Sequence, residues 1–317
     1  MSTASKVSLL APAKVNLTLQ VLGRRDDGYH ELRTWMAALE LADRLTVEPT
    51  SDGRVELNLS GRYASPDVPV DGTNLATRAA QEALELARRE GSVAKDAGVR
   101  LTLEKNVPSQ AGLGGASSDA AAAWLGTETA LGVQLGADLR RHGLGRLGSD
   151  CVFFIDALST GLGLCVGRGE EVSPSTLPAP AWWVAVVTPD VVCPTAEVYG
   201  ALENSLRRSR ETHSVPIEPF GTRASEARRW LSNDLEGAAL EARPELVSWR
   251  EALGAAGCEH FLLSGSGSSF YGLFDDSDAA RQGLESVAEA ARARGLEHRG
   301  QWLTKLGGFG LKFLSDC

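Results

Sequence analysis

The sequence has few residues that could hold the chain together covalently or through a metal. Its five cysteines, among 317 residues, are odd in number, widely spaced and never arranged as C-x-x-C. A disulfide framework or a structural zinc site needs cysteines in suitably spaced pairs. Neither is favoured. The sequence therefore predicts a protein that is stabilised by an apolar core and lies in a reducing compartment.

An excess of positive charge and a membrane-length apolar run are also missing. The formal net charge is -9, whereas nucleic acids and anionic membranes attract cationic surfaces. No window approaches the roughly 18 apolar residues that a spanning helix requires. We therefore expect a cytoplasmic protein, a monomer or homodimer, that binds neither nucleic acid nor membrane and holds any anionic ligand at one local site.

Period-two alternation predicts strands in the first half of the chain. Residues 15–22 read VNLTLQVL, with apolar side chains alternating against Asn16, Thr18 and Gln20, which is typical of a half-buried strand. The same alternation predicts strands at 43–49, 54–60 and 98–105. Helical apolar spacing predicts helices at 73–91 and 117–132, and a weaker one at 137–150 that is interrupted by two glycines.

The second half alternates strand and helix patterns unevenly, which favours an α+β fold with mostly antiparallel sheets over a doubly wound sheet. Strands are predicted at 182–189, 259–265, 270–274 and 300–306, and helices at 244–257 and 275–295. The length favours two domains, 1–178 and 179–317, divided at a proline cluster. Residues 205–229 mix charges with proline and glycine and predict a mobile connection or a surface excursion.

A glycine-rich segment between a predicted strand and an alanine-rich predicted helix is the first candidate for a binding site. Residues 105–124 read KNVPSQAGLGGASSDAAAAW. Its three glycines remove side-chain bulk and permit positive φ, so that amide groups can converge on an oxyanion at the start of the helix. The segment predicts a polyphosphate cradle, although a plain glycine turn has the same composition. The three glycines are Gly112, Gly114 and Gly115.

The serines of this segment add hydroxyl groups to the predicted cradle. Ser117 and Ser118 could donate hydrogen bonds and cap a helix that begins at Asp119. Two familiar phosphate motifs do not fit. The loop lacks the lysine of G-x-x-x-x-G-K-[ST], and Ser117 stands where the dinucleotide fingerprint has its third glycine.

Three segments occur in the order found in the GHMP small-molecule kinases, a family that the sequence resembles over nearly its whole length. They are APAKVNLTLQVLGRRDDGYHELRT, VPSQAGLGGASSDAA and LLSGSGSSFYGLF. Within that family, PAKVNL together with GRRDDGYH at 23–30, GSD at 148–150 and SND at 232–234 is similar to the kinases of a cytidine-diphosphate-linked methylerythritol. The sequence departs from them after GSD, where Cys151-Val152 replaces Val-Pro.

The resemblance implies a two-domain GHMP kinase fold with the active site in the interdomain cleft. It implies ATP-dependent phosphorylation of the 2-hydroxyl of the cytidine diphosphate substrate, in the non-mevalonate route to isoprenoid precursors, with Mg²⁺ arriving on the nucleotide. Another GHMP kinase, acting on mevalonate, homoserine or a sugar, and a catalytically inactive nucleotide-binding protein are the alternatives. Scattered histidines predict no metal site of the protein's own.

The resemblance assigns the chemistry to two residues. Asp150 becomes the base that accepts the hydroxyl proton and aims the hydroxyl at the γ-phosphate. Lys14 becomes the ammonium that lowers the pKa of that hydroxyl or stabilises charge near the phosphoryl group. Without the resemblance, they are an ordinary turn aspartate and an ordinary surface lysine.

The resemblance also assigns residues to each ligand. Those assigned to ATP are Pro108, Ser109, Gln110, Ala111, Gly112, Leu113, Gly114, Gly115, Ala116, Ser117, Ser118 and Asn74. Those assigned to the substrate are Asn16, Tyr29, His30, Thr195, Tyr199, Gly265, Ser266 and Gly267. Among these, Tyr29-His30 and Tyr199 are expected to stack on the cytosine and read its edge.

Some of these residues have an equally simple structural interpretation. Asn74 precedes a predicted helix and could serve only as its cap. Tyr199 could pack a helix against the second domain, and residues 265–267 could form a hairpin turn.

Overall fold

The structure is a computed structural model that describes residues 5–205 and 223–314, and within these ranges it forms two sheets with helices packed on them. The strands are β1 (Val7–Arg24), β2 (His30–Thr50), β3 (Val55–Ser60), β4 (Gly98–Glu104), β5 (Leu162–Gly167), β6 (Glu171–Pro174), β7 (Trp183–Pro189), β8 (Ser232–Asn233), β9 (Leu262–Leu263), β10 (Phe270–Phe274), β11 (His298–Lys305) and β12 (Lys312–Leu314). The helices are α1 (Leu75–Arg89), α2 (Gly115–Leu131), α3 (Ala137–Leu147), α4 (Cys151–Asp156), α5 (Thr195–Ser205), α6 (Ala224–Ala227), α7 (Glu236–Ala242), α8 (Glu245–Ala255) and α9 (Ser277–Arg292).

The larger sheet has eight strands, and its pairing is mostly antiparallel, as the sequence predicts. Its main path runs β12-β1-β2-β4-β3, with β5 and β6 added beside β2 and with β8 added beside β1. The smaller sheet runs β11-β7-β10-β9. Because β8 and β12 pair with β1, the larger sheet contains residues from both sides of position 178. The domain boundary placed there stays a prediction.

Strand β1 is buried on both faces, which differs from the half-buried strand that alternation predicts. Its polar residues Lys14, Asn16 and Thr18 are 4%, 2% and 0% exposed. The β1–β2 register shifts between Pro12 and Lys14 and again between Asn16 and Thr18. Such irregularities re-aim side chains, and here they flank the two polar residues that the resemblance places at the active site.

The main core lies between the larger sheet and helices α1 and α2. Helix α2 is buried almost all round, because its run of alanines lets it approach both the sheet and α1 closely. Helix α3 is continuous despite its two glycines. A Cβ on Gly143 would lie 2.3 Å from a ring carbon of Trp124. Glycine is unfavourable inside a helix, but at this position it leaves space for the indole ring.

The other predicted elements are largely confirmed. The strand predicted at 259–265 shortens to Leu262–Leu263. Helix α2 begins earlier than predicted, at Gly115. Of the predicted connection at 205–229, residues 206–222 lie outside the described ranges, and residues 224–230 form α6 and a turn of 3₁₀ helix. Over the described ranges, every helix is too short or too polar to cross a membrane.

Candidate functional site

A cavity of about 920 Å³ lies where β1, the start of α2 and the loops of the smaller sheet meet. It brings together most of the residues that the sequence assigns to the site, from positions as far apart as 14 and 267. Those that line it are Lys14, Asn16, Tyr29, His30, Pro108, Ser109, Gln110, Ala111, Gly112, Gly114, Gly115, Ala116, Ser117, Asp150, Thr195, Tyr199, Gly265, Ser266 and Gly267.

Lys14 and Asp150 form an ion pair at the base of this cavity. Lys14 Nζ lies 3.3 Å from Asp150 Oδ2, and the side chains are 5% and 28% exposed. A buried ammonium is costly without a counter-charge, and Asp150 supplies one while its carboxylate remains open to the cavity. The carboxylate is therefore placed where a hydroxyl group in the cavity can reach it.

Asn16 fixes the direction of the lysine. Its Oδ1 accepts a hydrogen bond from Lys14 Nζ at 2.7 Å, and its Nδ2 donates to Thr34 Oγ1 at 2.8 Å. The Asn16 carbonyl oxygen accepts from the Tyr271 hydroxyl at 2.8 Å. This series of hydrogen bonds, which runs from β10 through β1 to β2, therefore holds the Lys14 ammonium in one position.

The glycine loop, residues 108–115, has the backbone geometry of an anion site. Residues 110, 112 and 114 have φ of 52°, 73° and 68°, and the two residues between them do not have positive φ. Alternation of positive and negative φ is the pattern by which successive amide groups can turn toward one concave side. The sequence predicts this freedom at Gly112 and Gly114 but gives no signal at Gln110.

The outer side of the glycine loop is bound to the second half of the chain. The carbonyl oxygen of Ala111 accepts from Ser269 N at 3.1 Å, and that of Gly112 accepts from Ser264 Oγ at 2.9 Å. A Cβ on Gly112 would lie 2.0 Å from the Ser264 carbonyl oxygen. Only glycine allows this approach, which joins the loop to the smaller sheet.

Helix α2 begins within the glycine loop, so the serine caps predicted from the sequence are wrong. Gly114 is the N-cap, and no side chain hydrogen-bonds there. Ser117 and Ser118 lie in the first turn, and Ser118 is fully buried. A glycine suits this position because a Cβ on Gly114 would lie 2.8 Å from Lys14 Cγ. The helix start and the lysine side chain are thus in direct contact.

The three aromatic residues assigned to the cytosine are close together, but the ring that stacks on Tyr199 is that of His30 and not that of Tyr29. The His30 ring stacks on the Tyr199 ring, with centroids 4.9 Å apart and planes 25° apart. Tyr29 is 55% exposed, and the guanidinium of Arg168 lies 4.9 Å from its ring centroid. Burial raises the pKa of Tyr199, so its hydroxyl stays neutral.

The loop at 265–267 lines the cavity directly beside the glycine loop, since a Cβ on Gly112 would lie 3.0 Å from the Gly267 carbonyl oxygen. Ser266 Oγ and Thr195 Oγ1 lie 3.1 Å apart in a hydrogen bond. A Cβ on Gly265 would lie 3.3 Å from Lys14 Nζ and 3.4 Å from Asn16 Oδ1. The loop therefore brings the second half of the chain against Lys14 and Asn16.

Three residues assigned to ATP do not line the cavity. Leu113 and Ser118 are buried, and Asn74 caps helix α1. Its Oδ1 accepts from Ala76 N at 2.9 Å and its Nδ2 donates to the Pro69 carbonyl at 2.7 Å. The cap interpretation accounts for both polar atoms of Asn74, and its nucleotide contact stays a prediction.

Sequence reasoning missed three residues that build the site. Arg168 lines the cavity and is held by Glu170, with Nε 2.9 Å from Oε1. Asn233 donates to the carbonyl oxygens of Leu263 and Gly265, each at 2.8 Å. Arg299 contacts the glycine loop. Asn233 belongs to the SND motif, which signals its importance, whereas nothing local distinguishes the two arginines from surface residues.

A buried charged cluster lies directly beneath the start of α2. Lys105 Nζ is 2.7 Å from Asp119 Oδ2 and also hydrogen-bonds Asp43. All three are at most 4% exposed, and Asp119 Oδ1 has no hydrogen-bond partner among the described residues. Burial, with a smaller contribution from Asp43, raises the pKa of Asp119 to about 8 against the opposing effect of Lys105.

Comparisons with known proteins give a consistent result. The family models for the GHMP kinases N terminal domain and the GHMP kinases C terminal match residues 74–161 and 221–293. The chain is 42% identical to a 4-diphosphocytidyl-2-C-methyl-D-erythritol kinase of Thermus thermophilus, over 94% of this chain and 96% of that one. It is 39% identical to one of Geobacter sp. (strain M21), over 92% and 96%.

Solved structures of similar proteins share the fold. The structure resembles a crystal structure of 4-(cytidine 5'-diphospho)-2C-methyl-D-erythritol kinase with a TM-score of 0.73 and 37% identity, covering 95% of this chain and 99% of the other. A homoserine kinase from Cytophaga hutchinsonii has a TM-score of 0.70 at 16% identity, covering 99% of each chain. The second likeness concerns the fold alone.

Proposed function

The chain belongs to the 4-diphosphocytidyl-2-C-methyl-D-erythritol kinases of the GHMP kinase family, and from this membership we propose how its cavity performs the reaction. The terminal phosphoryl group of ATP passes to the 2-hydroxyl of 4-diphosphocytidyl-2-C-methyl-D-erythritol, a step of the non-mevalonate route to isoprenoid precursors. The observation that carries the residue assignment is the Lys14–Asp150 pair beside the start of α2.

Asp150 acts as the base and positioning group for the alcohol. Its carboxylate accepts the proton of the 2-hydroxyl as the oxygen attacks the γ-phosphorus and the bond to the leaving ADP oxygen breaks. Lys14 holds that carboxylate and offers an ammonium where negative charge develops on the transferring group. Asn16 keeps the ammonium from turning away.

The glycine loop binds the polyphosphate of ATP. Its converging amides and the start of α2 provide positive potential without a side-chain cation. This suits a protein whose net charge is -9, because a local cradle attracts the nucleotide where the overall charge does not. The pair at Lys14 then lies within reach of the terminal phosphate.

The aromatic residues at 29, 30 and 199 bind the cytosine of the substrate. The His30 and Tyr199 rings stack on each other and both line the cavity, where an aromatic ring can stack on a base. We propose that Tyr29, exposed at the rim, turns onto the other face of the base. The loop at 265–267 lies between this surface and Lys14, where the methylerythritol hydroxyl must reach.

Mg²⁺ arrives with the nucleotide and balances its phosphate charge. Among the described residues, Asp150 is the one carboxylate that lines the cavity, and no group of three His, Cys, Asp or Glu is placed to hold a metal. This donor set fits an ion bound mainly by phosphates and water, as Mg²⁺ commonly is.

An ADP-release assay tests the proposal against the two alternatives. Purified protein receives Mg²⁺-ATP with the cytidine diphosphate substrate, mevalonate, homoserine or a sugar, each in turn. Release that depends on the cytidine diphosphate substrate, with phosphorus-31 spectra showing a new monoester at the 2-hydroxyl, supports the proposal. Release with another alcohol indicates a different GHMP kinase. No release with any of them indicates an inactive nucleotide-binding protein.

A further inference from the structure

Arg299, on β11, is a half-buried cation with no role in the chemistry described above. Among the residues that the structure describes, its guanidinium forms no ion pair, and its donors meet only neutral oxygens. Burial lowers the pKa of Arg299 against the smaller, opposing effect of the Asp190 carboxylate, so the loss of hydration costs free energy that this carboxylate does not fully return. A side chain held at such a cost calls for a physical reason.

One set of these oxygens belongs to the glycine loop. Arg299 Nη1 donates to the Ser109 carbonyl oxygen at 2.8 Å, and Nη2 donates to that of Gln110 at 3.4 Å. Together with the bonds to Ala111 and Gly112 already described, four successive carbonyl oxygens accept from the second half of the chain.

The other set belongs to the second half itself. Nε donates to the Pro189 carbonyl oxygen at 3.4 Å, and Nη2 donates to the Val191 carbonyl and to Ser268 Oγ at 3.4 and 3.3 Å. The planar fork of a guanidinium can address both sets at once because its five N–H groups point in fixed, different directions. An ammonium on a flexible stem cannot reproduce that span.

The orientation of these carbonyl groups decides what the loop can bind. A carbonyl oxygen facing a phosphate repels it, whereas an amide facing it attracts it. Gln110 is the one residue of the described chain, glycine aside, with positive φ, a strained conformation that persists only where its surroundings hold it. Arg299 binds the carbonyl groups on this residue and on the one before it.

We propose that Arg299 is a positioning residue for the nucleotide, which ties the carbonyl side of the glycine loop to the smaller sheet so that the amide side stays aimed at the polyphosphate. It acts through the loop and makes no contact with ATP. The inference deepens the proposed function and rests on it for the binding of the polyphosphate at the glycine loop and for the kinetic readout, but not for phosphoryl transfer.

Arg299→Met, which keeps the length of the side chain and removes its donors, tests the inference. The dissociation constant of a non-hydrolysable ATP analogue, measured by calorimetry, should rise about tenfold, as loss of charge-assisted hydrogen bonds predicts. The KM for ATP should rise in parallel, while the KM for the cytidine diphosphate substrate stays within about twofold. Millimolar guanidinium should restore analogue binding to Arg299→Ala, and Arg299→Lys should stay weakened.

Arg228→Met is the matched control. Arg228 also donates to a backbone carbonyl, that of Leu273 at 2.8 Å, and burial also lowers its pKa, but it does not line the cavity or contact the glycine loop. It should leave analogue binding unchanged. An unchanged dissociation constant in folded Arg299→Met, an equal loss in Arg228→Met, or full binding by Arg299→Lys would each overturn the proposal.

The binding measurement separates this inference from the proposed function. Analogue affinity needs no phosphoryl transfer, so a protein that fails to phosphorylate the cytidine diphosphate substrate can still show the Arg299 effect. If phosphorylation is present and the effect is absent, the inference fails alone.

Discussion

At the scale of single residues, the site depends on one buried cation and one half-exposed anion. Lys14 is held by Asn16 and Asp150, so its ammonium is fixed before any ligand arrives. Such preorganisation is what makes charge effective in a water-poor site. Asp150 is the more exposed partner and therefore the one that can meet a hydroxyl.

Asp150→Asn should lower kcat by about 100-fold or more, the usual effect of losing a general base, in a protein that still folds. Lys14→Met should lower kcat to a similar extent, because the negative charge on the transferring phosphoryl group is then no longer stabilised by an ammonium. Steady-state kinetics on the purified variants measure both.

Asp156→Asn is the control for the acidic variant. Asp156 pairs with Arg141 at 2.9 Å on the short helix that follows Asp150, outside the cavity, and its loss should leave kcat unchanged. Near-parental turnover in Asp150→Asn would remove that residue from the catalytic role, and the same holds for Lys14→Met.

The aromatic residues should act on binding and not on turnover. Tyr199→Ala should raise the KM for the cytidine diphosphate substrate about tenfold, since stacking of a base on an aromatic ring is worth ~1–3 kcal/mol. Tyr29→Ala should act in the same direction, and Tyr199→Phe should behave like the parent. The KM for ATP serves as the internal control. If the substrate KM is unchanged in both alanine variants, these rings do not bind the base.

At the scale of elements, the glycine loop and the start of α2 work as one unit. Alternating positive φ along 110–114 collects amide groups, and the helix adds its own unpaired N–H groups where Gly114 touches Lys14. The glycine loop, the start of α2 and Lys14 of β1 are therefore in contact with one another.

Gly114→Ala should lower kcat/KM for ATP by about 100-fold, because misplacement of reacting groups by ~1 Å has effects of this size. A Cβ there is strained by the positive φ and would press on Lys14 Cγ. Gly237→Ala is the control, since Gly237 lies in α7 with nothing near its Cβ position. Parental kinetics in a folded Gly114→Ala protein would show that the close contact is not needed.

At the scale of the whole molecule, the two halves of the chain complete each other. The larger sheet takes β8 and β12 from the second half, and the glycine loop is bound to the smaller sheet. The two halves should therefore unfold together, and a buried group in either half should affect the stability of the entire described fold. The charged cluster of Lys105, Asp43 and Asp119 is one such buried group, within the first half of the chain and beneath the start of α2.

The stability of the protein should fall as pH rises from 7 to 9. The folded pKa of Asp119, about 8, lies above its ordinary value of 3.8, so the native state keeps a proton that the unfolded chain releases. Its contribution is present at low pH and is lost as pH rises through 8. The pKa of Lys105 is raised, so the lysine stays charged over this range. The loss should be on the order of 1 kcal/mol.

Urea unfolding at pH 7 and pH 9 measures this change, with Asp119→Asn as the comparison. The amide cannot ionise, so its free energy of unfolding should vary less between the two pH values. Equal pH dependence in the parent and in Asp119→Asn would assign the effect to other groups.

The sequence by itself determined the family, the main elements and which residues line most of the cavity. Local patterns suffice for these: alternation along 15–22, the glycines before an alanine run, and motifs whose residues keep their spacing. The two catalytic assignments came from the resemblance, and the structure places both residues in one cavity, although their roles stay predictions.

Only the tertiary structure decided how distant segments meet. Burial of the polar face of β1, the helix start at Gly115, the stacking of His30 on Tyr199 and the bridge made by Arg299 all depend on contacts between residues far apart in the chain. The same alternation of apolar and polar residues occurs in a strand buried on one face and in a strand buried on both. An arginine in the sequence likewise does not show whether it lies on the surface or bridges two segments. The difference lies in what packs against them, which the local sequence does not encode.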